Sequence, residues 1–197
     1  MTTLPQASAA LPPAVHNARR FSRYLSRMLD CQPWLAEALA ASMAGPIGAT
    51  QMEDFISARE NALGGADLAL RPALRQLRMW VLCHLIVRDL SCAAPLAEVT
   101  ETMTVLAEVS LRHAHEVLRA ALVERYGLPL SPTGWEQELL VIGMGKFGGR
   151  ELNVSSDIDL IFIYPEDGDT GGKKAISNSE IFERLGKQLI QALNEVT

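Results

Sequence analysis

Lysine is missing from the first 135 of the 197 residues, where twelve arginines balance twelve acidic side chains. The whole net charge of −5 therefore lies beyond residue 135, where six basic residues face eleven acidic ones. A nucleic-acid surface needs a basic stripe, so no nucleic-acid partner is expected. An acidic half suits a site that gathers cations. Cysteine is scarce as well, and Cys31, Cys83 and Cys92 are odd in number and lack metal-ligand spacing. They are expected as reduced thiols of a cytoplasmic protein, each packing as a small hydrophobe. No apolar run nears the ~20 residues of a membrane span. The opening MTTLPQASAALPP has neither the basic start nor the apolar core of a signal peptide. It reads as a disordered tail over residues 1–13. Aromatics make up 6% of the chain and hydrophobic residues 48%, which describes an Ala/Leu-rich globular protein with one sizeable core or two small ones.

Residues 14–134 carry apolar side chains at helical spacing, interrupted by Gly and Pro. One helix is expected over residues 14–30, with Val15, Ala18, Phe21 and Leu25 inward and a solvated arginine face. Others follow from Pro33 to the break at Gly45-Pro46, over residues 51–63, and from Asp67 to about Leu90. The stretch 95–126 reads as one long helix or two joined pieces. Periodicity alone places Trp80 and His84 in the core. His113 and His115 diverge by about 200° on a helix, so they read as a surface pair and not as metal ligands. Residues 127–134, rich in Gly and Pro, mark a boundary. Beyond it, Ser177 to Glu180 match a capping box that opens a last helix. Residues 166–174 read as a solvated, mobile loop.

Between these lies ELLVIGMGKFGGRELNVSSDIDLIFIY, residues 138–164. An apolar run short enough for a buried strand leads into Gly143, Gly145, Gly148 and Gly149. A second strand-like run follows, with Asp157 and Asp159 near its start. Alternation along a strand puts residues i and i+2 on one side, so the two carboxylates stand together. Their repulsion, and the cost of burying either, would be relieved by a divalent cation, here Mg²⁺. Gly143 to Gly148 also match G-x-G-x-x-G, the dinucleotide fingerprint. Only fourteen residues separate Ile142 from Asp157, and they are broken by glycines, too few for a helical crossover. No G-x-x-x-x-G-K-[ST] loop is present. The expectation is strand, glycine turn, antiparallel strand.

An apolar residue, Gly, a short spacer and then D-x-D on a strand is the pattern of the DNA polymerase β-like nucleotidyltransferases. Within that superfamily, GMGKFGGRELNVSSDIDLIFIY closely resembles the glutamine synthetase adenylyltransferase/adenylyl-removing family, and the helical segment before it is similar too. The resemblance implies an α+β fold: a helical domain over 14–134, then the start of a nucleotidyltransferase mixed sheet with helices over 135–197. It implies an N-terminal piece of a longer enzyme, with its third carboxylate on a later strand. It also implies phosphorolytic removal of AMP from a tyrosine of glutamine synthetase, with nucleotide (ATP or ADP) and inorganic phosphate as small partners. The PII signal protein is the implied regulatory partner. Asp157 and Asp159 would be catalytic and hold Mg²⁺. Gly143, Gly145, Lys146, Gly148, Gly149 and Ser156 would approach the nucleotide, and Lys146 or Arg150 would meet the entering phosphate. A helical docking module with a remnant nucleotide motif is the alternative.

Overall fold

A computed structural model of the protein describes residues 11–194. Six helices come first: α1 (Pro13–Phe21), α2 (Arg23–Cys31), α3 (Pro33–Ser42), α4 (Ala49–Leu63), α5 (Ala66–Leu90) and α6 (Leu96–Tyr126). A short strand β1 (Pro129–Leu130) follows. Then come β2 (Leu140–Met144), the one-turn helix α7 (Gly145–Gly148), β3 (Asp159–Ile163), β4 (Asp169–Thr170) and α8 (Asn178–Asn194). The fold is α+β, as expected, and the described residues up to 127 contain helices and no strand. The expected tail lies outside the described residues as far as residue 10. From Pro13 the chain is already helical.

The helix α5 is the axis of the bundle, packing against α1, α2, α3, α4, α6 and α8. Its Leu74, Leu77, Val81 and Leu85 are buried, joined by Leu35 and Leu39 of α3 and by Met52 and Ile56 of α4. The stretch 95–126 is one helix of 31 residues. Trp80 and His84 are core residues. Arg59 of α4 stacks over Trp34, and Phe55 lies against Trp80 with ring centroids 4.7 Å apart.

Several expectations need correction. The single helix over 14–30 is two, because Ser22 adopts extended backbone angles and its hydroxyl accepts from Leu25 N at 3.2 Å. A serine that can cap competes with helix continuation. Phe21, at the end of α1, is 77% exposed and not inward. His113 is not a bare surface group: it bonds the buried Glu60 of α4 at 2.7 Å. His115 is half-buried, and burial lowers its pKa. Of the cysteines, only Cys83 packs in the core, while Cys31 and Cys92 are exposed.

The polar loop over 166–174 is not free. β4 pairs antiparallel with β1, and Gly171 N and Gly172 N donate to Leu128 O and Tyr126 O at 2.9 and 3.1 Å. A Cβ on Gly168 or Gly172 would overlap the carbonyls of Leu130 and Tyr126 respectively. Glycine is what lets these two backbones touch. The fully buried Asn178, first residue of α8, completes the clasp by donating to Leu130 O. The capping box is half made: Ser177 Oγ accepts from Glu180 N, but the Glu180 carboxylate pairs with Arg184 instead. Arg184 also reaches back to the Tyr126 hydroxyl at 2.8 Å.

Candidate active site

β2 and β3 form an antiparallel pair, with Met144 opposite Asp159 and Leu140 opposite Ile163. The connection between them holds only the single turn of α7, so a dinucleotide-binding crossover is excluded. One face of this ribbon is covered by α8. Phe182 of α8 meets Tyr164 with centroids 5.1 Å apart, and Gly186 lets Phe162 approach. The other face carries Asp159, Ile161 and Ile163 beside Leu140, Ile142 and Met144, all exposed. The apolar run expected as a buried strand, residues 139–142, is therefore half exposed, because a single helix layer covers a single face.

Asp159, the first residue of β3, stands on that open face; Asp157 lies two residues ahead of the strand and is exposed as well. Their exposure removes the burial cost invoked for them and leaves mutual repulsion as the reason to recruit a cation. Asp159 lies against the glycine turn, for a Cβ on Gly145 would sit 3.2 Å from Asp159 Oδ2. Gly145 has φ +53, a region that also favours glycine. The turn is anchored by Phe147 and Leu152, both buried, with the Phe147 ring over Gly143. Gly149 N, Arg150 N and Glu151 N are spent on Gly145 O, Phe147 O and Lys146 O. Gly148 and Gly149 therefore shape the turn, and the donors left for a ligand are those at the start of α7.

The two cations near the turn differ. Lys146 is exposed and forms no ion pair among the described residues. Arg150, at φ +57, reaches Glu101 and Glu108 of α6, the former at 2.8 Å, and these carboxylates raise its pKa. It ties the turn to the bundle and is already occupied, a role that sequence reasoning missed. Glu101 and Glu108, two turns apart on one helix face, were the available signal. Ser156 is half-buried, and its hydroxyl accepts from Asn153 N at 3.1 Å, closing the bend before Asp157.

Among the described residues no three His, Cys, Asp or Glu side chains cluster as a metal cage. Two carboxylates with open positions are nonetheless the donor set that suits Mg²⁺, which keeps several waters and shares its ligands with substrate phosphates. The residues present fit the ion.

Residues 14–197 match the family model of glutamate-ammonia ligase adenylyltransferase. The chain belongs to that family. It is 64% identical over 190 residues to the bifunctional glutamine synthetase adenylyltransferase/adenylyl-removing enzyme of Aromatoleum aromaticum, covering 96% of this chain and 20% of that relative. The protein of the same name from Chromobacterium violaceum is 47% identical over 93% of this chain and 20% of its own length. That of Nitrosomonas eutropha is 43% identical over 99% of this chain and 21% of its own. The chain thus spans about one fifth of the length of these curated relatives. Among the described residues no helix is long and apolar enough to cross a membrane.

Proposed function

We propose that this chain belongs to an enzyme that removes AMP from a tyrosine of glutamine synthetase by phosphorolysis, and that Asp157 and Asp159 are its metal-holding carboxylates. The observation that carries the reading is Asp159, exposed at the start of β3 and seated against Gly145 at the head of the glycine turn, with Asp157 exposed two residues before it. In the reaction an oxygen of inorganic phosphate forms a bond to the adenylyl phosphorus. The bond from phosphorus to the tyrosine oxygen breaks, the phenolate leaves and takes up a proton, and ADP is released.

When bound, Mg²⁺ supplies charge to the phosphoryl oxygens as the transfer proceeds. Asp157 and Asp159 fix where that charge sits. The glycine at 145 lets backbone approach the carboxylate, and the first N–H groups of α7, which a helix start leaves without intrahelical partners, would face incoming oxygens. Lys146, exposed and without an ion pair among the described residues, is the cation that meets inorganic phosphate, whereas Arg150 holds the turn on α6. Residues 14–134 act as the helical domain that carries this turn, and 135–197 as the opening of the nucleotidyltransferase core. The chemistry belongs to the longer protein, where a further carboxylate completes the set, the attachment reaction has its own copy of the fold, and PII is the regulatory partner. This chain alone is expected to be inactive. Three free cysteines accord with a reducing, cytoplasmic setting.

The test is ADP release from adenylylated glutamine synthetase by the longer protein and by its Asp157→Asn and Asp159→Asn variants. Loss of about 10³-fold or more with an unchanged melting temperature is expected, roughly 4 kcal/mol of barrier. A stable variant that keeps substantial activity would sink the assignment and favour a docking module.

A further inference from the structure

A cavity of about 190 Å³ lies where the bundle meets the segment leading into β3. Its walls are mostly apolar: Met103 and Leu106 of α6, Leu152 and Ile158 of the segment, and Leu193 of α8. Two polar groups on its lining make no hydrogen bond or ion pair among the described residues. Ser110 of α6 is 4% exposed, and its hydroxyl has no hydrogen-bond partner among the described residues. Arg78 of α5 is half-buried on the same lining; it lies near enough to Tyr24 to favour the charged form of that hydroxyl, but among the described residues no carboxylate forms an ion pair with it. A buried hydroxyl left unpaired costs free energy, and so does a guanidinium partly withdrawn from water without a counter-charge. Their convergence on one apolar cavity is the usual composition of a small-molecule site.

We propose that this cavity binds a small carboxylate with a short apolar body, held by the Arg78 guanidinium and the Ser110 hydroxyl. The planar guanidinium fork matches a carboxylate through two parallel hydrogen bonds. The walls call for a ligand with carbon to bury, which inorganic phosphate lacks. The volume is the liquid share of about six waters, room for a metabolite-sized acid and not for a nucleotide. Asn153, Ser156 and Asp157 form the side of the cavity toward β3, so an occupant braces the bend that carries Asp157.

Benzoate, benzyl alcohol, inorganic phosphate and ADP, each titrated into the whole chain and followed by backbone amide NMR, test the site. Benzoate should give saturable shifts at residues 103–110 and 152–158, with the alcohol and phosphate at least 10-fold weaker there. Arg78→Met, which keeps the apolar stem, should weaken benzoate at least 10-fold. Ser110→Ala removes one hydroxyl that no protein group uses, so it should fold normally and weaken benzoate several-fold, which keeps the test decisive if the Arg78 variant is unstable. The proposal is overturned if benzoate does not bind, if phosphate or the alcohol matches it, or if Ser110→Ala leaves its affinity unchanged. Equal occupation of these residues by ADP would make the cavity part of a nucleotide site and overturn it as well. None of these outcomes depends on whether Asp157 and Asp159 hold a metal.

Discussion

Acid should loosen the helical bundle through His84. The imidazole is fully buried on α5, with Nδ1 3.1 Å from Ser42 Oγ and Nε2 without a hydrogen-bond partner among the described residues. Ser42 in turn accepts from Trp80 Nε1 and donates to Leu39 O, so its hydroxyl proton is committed and Nδ1 is the donor toward it. Charging this ring would place a cation in the core. Burial, with Arg88 nearby, pushes its pKa from the ordinary 6.5 down to about 4, against smaller opposing effects of Glu98 and the Gly45 backbone. The unfolded chain binds the proton near 6.5 and the folded chain only near 4. Stability due to neutral His84 is therefore complete above about pH 6.5 and is lost as pH falls through that window. At 1.36 kcal/mol per unit the loss reaches about 3 kcal/mol near pH 4. Urea unfolding of the parent and of His84→Gln at pH 7, 6, 5 and 4.5 measures it. The variant shares every carboxylate with the parent, so its stability should fall less steeply with acid by up to one proton's slope. Parallel curves would refute the assignment of the proton to His84.

Gly172→Ala puts a methyl into the Tyr126 carbonyl and should destabilise the protein by about 1–3 kcal/mol in urea unfolding, by prising β4 from β1. An unchanged midpoint would mean the clasp is not made. Arg150→Gln should leave the melting temperature unaltered, because exposed ion pairs contribute little, while amides of residues 145–150 exchange faster once the turn is untied from α6. Unaltered exchange would show that the tie does not form. A thiol reagent at pH 8 should label Cys31 and Cys92 in the native protein and Cys83 only after unfolding, since burial pushes the Cys83 thiol up to about 12. Rapid native labelling of three thiols would contradict the packing.

What the sequence made legible was local or periodic. Leu74, Leu77, Val81 and Leu85 repeat at helical spacing, and the bundle formed where they predicted. The D-x-D pair was legible only in part, because Asp159 opens β3 whereas Asp157 precedes the strand, where alternation does not fix its side. Ser22 was harder: the apolar spacing runs straight through it, and only the hydrogen bond it offers to Leu25 N decides that the helix breaks there. Whether Ile161 and Ile163 are buried depends on how many layers cover the sheet, a property of topology that no window of sequence contains. The partners of Arg150 lie 42 and 49 residues away, so composition near it said nothing of its role.

Glycine shows most sharply why spacing alone stops short. Both clusters, at 143–149 and 168–172, look like flexible turns, and the first was read as functional and the second as slack. The structure gives each a different reason for lacking a side chain. At Gly145 the missing Cβ leaves room for a carboxylate oxygen of Asp159, so the tightness is between the turn and a proposed catalytic group. At Gly168 and Gly172 it leaves room for the carbonyls of Leu130 and Tyr126, so the tightness is between two stretches of backbone. A side chain at the first position displaces an aspartate and should be felt in turnover. One at the second separates β4 from β1 and should be felt in stability. The distinction rests on what each glycine faces, and in both clusters that neighbour comes from another part of the chain.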